Sequence, residues 1–242
     1  MTKRLGELKA LAFNCYGTLI DWESGIWDAL QPLLRANGCD ALSRARALES
    51  FAEYESRQQA KTPDMRYGVL LVRVHRTVAA RHGLASSAEL DAAFAKSIAD
   101  WPAFPDTAAA LRRLKRRFKL VILSNVDRDG FQASRAKLGI DFDAVYTAED
   151  IGSYKPAAAN FAFMLERVSA DFGLGAEDIL HTAQSLFHDH VPAARFGLAS
   201  AWIDRQGLAK GGHWGATVHV PERPEADFVF ATLAAMADAV FA

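Results

Sequence analysis

The sequence predicts an α/β fold, a parallel sheet covered by helices on both faces, with an all-helical segment inserted after the first strand. Three observations carry this. From Asp106 onward, short apolar runs alternate with amphipathic stretches, the signature of strand–helix units in a parallel sheet. A further apolar run, LKALAFN, stands near the N-terminus. Between Asp21 and Asp100 the sequence carries helical periodicity and no convincing strand signal.

In chain order, LKALAFN is the first strand, apolar throughout, as a strand covered on both faces must be. Trp27, Leu30, Leu33 and Leu34 then share one helical face, and Gly38 stands where that helix would be capped. A second amphipathic stretch covers Ala41 to Gln59, and a third runs from Tyr67 to His82 and stops at Gly83. A fourth starts at Ser86-x-x-Glu89, a capping-box pattern, and ends before Trp101-Pro102. Asp106 to Phe118 then reads as a helix and KLVILSN as the second buried strand. AVYTA, the helix after Pro156, ILHTAQ, the helix after Pro192, ASAWID and DFVFAT complete the alternation.

Composition narrows the function. Half of the residues are hydrophobic and the net charge is -1, a balance that points to neither nucleic acid nor a membrane surface. No apolar run reaches membrane-spanning length, and the N-terminal MTKRLGELKA does not read as a signal peptide. Two cysteines, Cys15 and Cys39, make no disulfide framework, so a reducing cytoplasm is the expected compartment. The basic run Leu111 to Lys119 keeps Leu111, Leu114 and Phe118 on one face, which reads as a solvated helix. His188-Asp189-His190 lacks the partners of a closed metal site.

Ligands of open α/β sheets bind outside the carboxyl ends of the strands. Asn14, Ser124-Asn125 and Gln184-Ser185 all fall at such ends. Asn14 poses a question, because a carboxylate there would be a natural nucleophile and an amide is not. Four pieces stand in order: N-C-Y-G-T at 14–18, S-N at 124–125, Y-K-P at 154–156 and Q-S-L-F-H-D at 184–189. This order resembles the haloacid dehalogenase superfamily. The resemblance implies a Rossmann-like core, residues 1–21 and 101–242, with a helical cap at 22–100. Phosphatases of that superfamily carry acids where this chain has Asn14, Tyr16 and Gln184. The resemblance is therefore to the type II branch, the L-2-haloacid dehalogenases, which need neither metal nor organic cofactor.

It implies roles for named residues. A carboxylate at the position of Asn14 would displace halide from carbon 2 and form an ester that water then hydrolyses. Thr18 would hydrogen-bond the nucleophile, Lys155 would hold it ionised, and Asp189 would pair with Lys155 and place the water. The backbone N–H groups of Cys15 and Tyr16, with Ser124, would bind the substrate carboxylate, and Asn125 would sit at the departing halide. Ser185 and His188 would line the pocket. Lys155, as a loop lysine, is expected to contribute little to the core. The chain departs from the best-known type II pattern at Gln184 and Leu186. The cap arginine that grips the substrate has no clear match, Arg57 and Arg66 being the candidates. Fluoroacetate is therefore a possible substrate, a homodimer is implied by resemblance alone, and a phosphatase or a non-catalytic carboxylate binder are the alternatives. For Asn14 itself the options are an engineered substitution, a natural pseudoenzyme, or an amide that deamidates to Asp. The intact remainder of the apparatus favours the first.

Overall fold

The computed structural model describes residues 4–212, 220 and 222–242. Six strands form one sheet: β1 (Ala10–Phe13), β2 (Lys119–Ser124), β3 (Ala144–Thr147), β4 (Ile179–Ala183), β5 (Ala199–Ile203) and β6 (Phe228–Phe230). Their order is β3-β2-β1-β4-β5-β6 and every pairing is parallel. The chain thus starts at the centre, builds one side, then crosses back to build the other. This is the Rossmann-like arrangement, and its switch point lies between β1 and β4. In register, Phe13 sits beside Ile122 of β2 and Thr182 of β4. The residues just beyond those three strands therefore emerge side by side.

Side chains alternate across a strand, and here both faces are covered. Leu11, Phe13, Leu120 and Ile122 enter one apolar cluster; Ala10, Ala12, Val121 and Leu123 enter another on the opposite face. That is why β1 and the interior of β2 are apolar without interruption.

Between β1 and β2 the chain forms α1 (Trp22–Ala36), α2 (Arg44–Lys61), α3 (Tyr67–Arg81) and α4 (Ala88–Lys96). Gly38 lies just past α1, where it donates to Arg35 O while Cys39 donates to Leu34 O, the bonding of a Schellman cap. The α4 boundary differs from the predicted one. Ser87, not Ser86, caps the helix by accepting from Leu90 N, and Ser86 is drawn instead to Asp91 Oδ1 at 2.7 Å. The two ends of the helical insert are tied together, Asp21 N donating to Pro102 O at 2.8 Å and Phe104 N to Leu19 O at 3.1 Å. Ile26, Leu30, Phe51, Leu70 and Phe94 of the insert join the same cluster as Leu11 and Phe13.

The remaining helices are α5 (Thr107–Leu114), α6 (Arg128–Leu138), α7 (Ala148–Ile151), α8 (Ala158–Phe172), α9 (Val191–Arg195) and α10 (Leu233–Val240). α5 ends earlier than its sequence pattern suggests, in turns at Arg116 and Arg117, though Phe118 stays buried. α6 fills the gap between β2 and β3, with Asp127 capping it by accepting from Gly130 N at 2.9 Å. The helix expected after Pro192 begins earlier, with a π-helical turn over Leu186–His190. Among the described residues no helix is long and apolar enough to cross a membrane.

Candidate active site

Asn14 follows β1 directly and opens a tight loop in which Leu19 N and Ile20 N both donate to Cys15 O, at 2.7 and 3.1 Å. Gly17 makes the turn with φ of +91, and a Cβ there would lie 3.0 Å from both Gln184 Oε1 and Trp22 Nε1; only glycine fits. The turn folds Thr18 back under Asn14. Thr18 Oγ1 accepts from Asn14 Nδ2 at 3.1 Å and from Gln184 N at 2.9 Å. Asn14 Nδ2 also donates to Tyr16 O at 2.9 Å. The N–H groups of Cys15 and Tyr16 have no acceptor among the described residues. The Cys15 thiol is buried, and burial pushes its pKa well above the ordinary value, so it acts as a filler. The Tyr16 hydroxyl points out of the site, 3.2 Å from Gly130 O and 2.9 Å from Ser134 Oγ.

Lys155 is fully buried, at 1% exposure, which corrects the expectation of a loop lysine with little place in the core. Its ammonium donates to Asn14 Oδ1 at 3.2 Å, Leu123 O at 2.8 Å and Asp189 Oδ1 at 2.5 Å. All three of its protons are thereby committed. Asp189 Oδ1 also accepts from His181 Nε2 at 2.9 Å. Burial works against the Asp189 carboxylate, but the Lys155 charge and the His181 bond outweigh it and hold its pKa well below the usual carboxylate range. Burial draws the Lys155 ammonium down, and Asp189 opposes that. His181, on β4, went unnoticed in the sequence because a histidine inside an apolar strand carries no motif.

Asn125 is a strut. Its Nδ2 donates to Lys155 O at 3.0 Å and to Gln59 Oε1 at 3.2 Å, and its Oδ1 accepts from Lys155 N at 2.7 Å. Both amide protons are taken in this arrangement, and Asn125 also lines the cavity described below. Ser185 caps the π-helical turn by accepting from His188 N at 3.1 Å, and its Oγ lies 3.1 Å from His188 Nδ1. Burial depresses His188 to about 4, so its ring is neutral at pH 7. Four buried polar atoms of this group have no partner among the described residues: Ser124 Oγ, His181 Nδ1, His188 Nε2 and Asp189 Oδ2.

These side chains line a cavity of about 70 Å³. Asn14, Ser124, Lys155 and Asp189 form its sheet-side wall; Trp22, Ala52, Glu55, Gln59 and Tyr67 form the wall contributed by α1, α2 and α3. Neither candidate arginine lines it. The Arg57 side chain is 69% exposed and paired with Glu53 at 2.6 Å. Arg66 is 54% exposed and paired with Asp129 and Glu149 at 2.9 and 3.3 Å. Glu55 and Tyr67, joined by a 2.5 Å hydrogen bond, are cavity residues that the sequence reading did not single out.

With an amide at position 14, the site does not fit a magnesium ion. Magnesium takes hard, anionic oxygen, and positions 14 and 184 offer amides. The Gln184 side chain is turned to Gln206 at 3.1 Å, and Asp189 Oδ1 is held by Lys155 and His181, which leaves Asp189 a single unengaged oxygen.

A family model described as haloacid dehalogenase-like hydrolase matches residues 8–181. The (S)-2-haloacid dehalogenase of Pseudomonas sp. (strain YL) is 30% identical over 212 residues, 83% of this chain and 84% of that protein. The (S)-2-haloacid dehalogenase 4A of Burkholderia cepacia is 28% identical over 206 residues, 83% of this chain and 85% of that protein. The L-2-haloacid dehalogenase structure from Xanthobacter autotrophicus superposes with a TM-score of 0.77 at 22% identity, covering 97% of this chain and 98% of that one. With the family model spanning well over half of the sequence and its relatives most of it, the chain belongs to the haloacid dehalogenase-like hydrolases.

Proposed function

We propose that this site performs hydrolytic dehalogenation of short 2-haloacids when position 14 carries a carboxylate, and that the Asn14 form binds such acids without turnover. One observation carries the reading: Lys155 Nζ is 3.2 Å from the side-chain oxygen at position 14, while Asp189 bonds that same ammonium and keeps its second oxygen unpartnered. A carboxylate at 14 would be held ionised by the neighbouring cation. It would form an oxygen–carbon bond at carbon 2 while the carbon–halogen bond breaks, the halide leaving with the electron pair and the carbon inverting. Asp189 Oδ2 would accept the hydrogen bond of a water as that water attacks the ester carbonyl; the acyl–oxygen bond then breaks, one water proton passes to the departing C2 oxygen to give the 2-hydroxy acid, and the other leaves to solvent as the carboxylate at 14 is restored. Thr18 fixes the reacting side chain, and the Cys15 and Tyr16 amides with Ser124 Oγ take the substrate carboxylate. The helical segment 22–100 closes the cavity over the core. The activity named for the curated relatives supports this chemistry.

The test is Asn14→Asp, assayed for halide release from chloro-, bromo- and fluoroacetate and from both 2-chloropropionates. Restoring a lost nucleophile is worth on the order of a millionfold in turnover, and release is expected to persist in EDTA. A single turnover in heavy-oxygen water should leave the label in the carboxylate at 14. Label in the first-turnover hydroxy acid would mean direct hydrolysis and refute the covalent route. Release that fails on chelation and returns with magnesium would move the protein to the phosphatases.

A second reading, a non-catalytic binder of small carboxylates, draws on Asn14 Nδ2. It donates to both Tyr16 O and Thr18 Oγ1, and a carboxylate could not donate to Tyr16 O. An inactive Asn14→Asp protein that still binds haloacid would favour that reading.

A further inference from the structure

Glu55 has no part in the chemistry above, yet it faces it. Ala52, Glu55 and Gln59 recur at helical spacing and line the cavity from α2. Tyr67 of α3 donates its hydroxyl to Glu55 Oε1 at 2.5 Å, which fixes the carboxyl against the cavity. Its other oxygen has no hydrogen-bond partner among the described residues. Among the described residues no arginine lines the cavity, and the one ammonium there has its protons committed to Asn14, Leu123 and Asp189. An entering anion therefore meets no free cation. It meets Glu55, which repels it when ionised and can donate a hydrogen bond to it when neutral.

We propose that Glu55 is a substrate-recognition residue that meets the haloacid anion as a neutral carboxylic acid, so that each anion enters together with one proton. This rests on the haloacid reading of the cavity. Burial favours the neutral acid and raises the carboxyl to about 7, the Tyr67 bond offsetting part of the effect. The Tyr16, Tyr67 and Tyr154 hydroxyls are all raised, first by burial. Across the cavity, Asp189 stays ionised against Lys155 and His188 stays neutral. On α2 itself, Glu53 and Arg57 pair with each other at the surface. Asp127 and Glu149 are close enough to Tyr154 to act on its hydroxyl.

The experiment is calorimetric binding of chloroacetate and 2-chloropropionate to the Asn14 chain, which should hold them intact, from pH 6 to 9. The dissociation constant should be flat below neutral pH and rise about tenfold per unit above it. Heats measured at pH 8 in two buffers of different ionisation enthalpy should report uptake of about one proton per anion. Glu55→Gln keeps a donor but cannot ionise, so its profile should be flat, and at pH 9 it should bind about tenfold or more tighter than the parent. A flat parent profile, a slope that survives in Glu55→Gln (which would assign it to Lys155), affinity that grows with pH, or no binding at any pH would each overturn the proposal. Halide release by the Asn14→Asp protein separates the two levels. Release with a pH-independent KM sinks only the role of Glu55; no release from any haloacid sinks the reading beneath it.

Discussion

The two walls of the cavity are built differently. On the sheet side, each group is held from several elements at once. Lys155 alone bonds the residue after β1, the β2 backbone and the π-helical turn. On the helical side, Glu55 has one hydrogen bond, from a neighbouring helix, and Ala52 and Trp22 contribute surface. The first wall carries a charged pair, Lys155 with Asp189; the second carries a titratable acid and, among the described residues, no cation. Reaction chemistry needs groups fixed to a fraction of an ångström, and parallel strand ends supply that. Selection among substrates needs only shape and charge on the facing surface, which one helix face can change without disturbing the sheet.

Removing Lys155 tests the sheet-side wall most severely. Lys155→Ala in the Asn14→Asp background should lower turnover about a hundredfold or more. It should also cost about 3–5 kcal/mol of stability, because Asp189 is left charged and unpaired in the interior. Turnover and urea denaturation read the two losses. Near-normal rates with normal stability would erase the contrast between the walls.

A smaller effect separates them by acid response. An unfolded histidine binds its proton near about 6.5, whereas buried His188 and His190 resist until about 4. Their contribution is intact above that unfolded value and is lost as pH falls toward 4, by at most about 1.4 kcal/mol per unit for each. Glu55 acts in the opposite sense. Its raised carboxyl gives stability that is complete below the unfolded value of about 4.3 and is lost as pH rises through about 7. In melting curves between pH 7 and 4, His188→Gln should flatten the acid loss and Glu55→Gln should steepen it. Identical slopes in both variants would mean that the walls do not differ in this way.

The mildest change cuts the bridge between them. Gln59→Ala removes the 3.2 Å bond that ties α2 to Asn125, worth about 1 kcal/mol. In the Asn14→Asp background, KM should rise about fivefold with kcat nearly constant. A large fall in kcat would show that Gln59 helps to hold the sheet-side wall.

The same contrast governs what the sequence revealed. Strands β1 and β2 are legible because burial on both faces leaves an apolar run, β4 is legible in spite of His181 and Thr182, and the reacting groups follow those strands directly. The motif order names Lys155 as the partner of position 14 and of Asp189, but a loop position does not tell how deeply that pairing buries it. The arginines failed for a geometric reason. Arg57 lies two residues from Glu55, about 200° around the helix, and Phe51 and Gln59, buried on the Glu55 side, already set which face turns inward. That phase could have been read from the sequence. Which side chain of α3 meets it could not, since the pairing of α2 with α3 depends on how the helices cross. The capping pattern at Ser86 was lost to a competitor, Asp91, whose carboxylate holds that hydroxyl.

The apolar cluster shared by the helical insert and one sheet face has a consequence for grafting between relatives. Transplanting residues 22–100 would carry Ile26, Phe51 and Phe94 onto a foreign sheet whose seam was shaped for other partners. The tolerance at the join is small: a Cβ added at Gly25 would fall 2.3 Å from the Trp101 ring. Wholesale exchange should therefore yield misfitted hybrids. Altered selectivity is better sought one side chain at a time along Ala52, Glu55 and Gln59, which border open space.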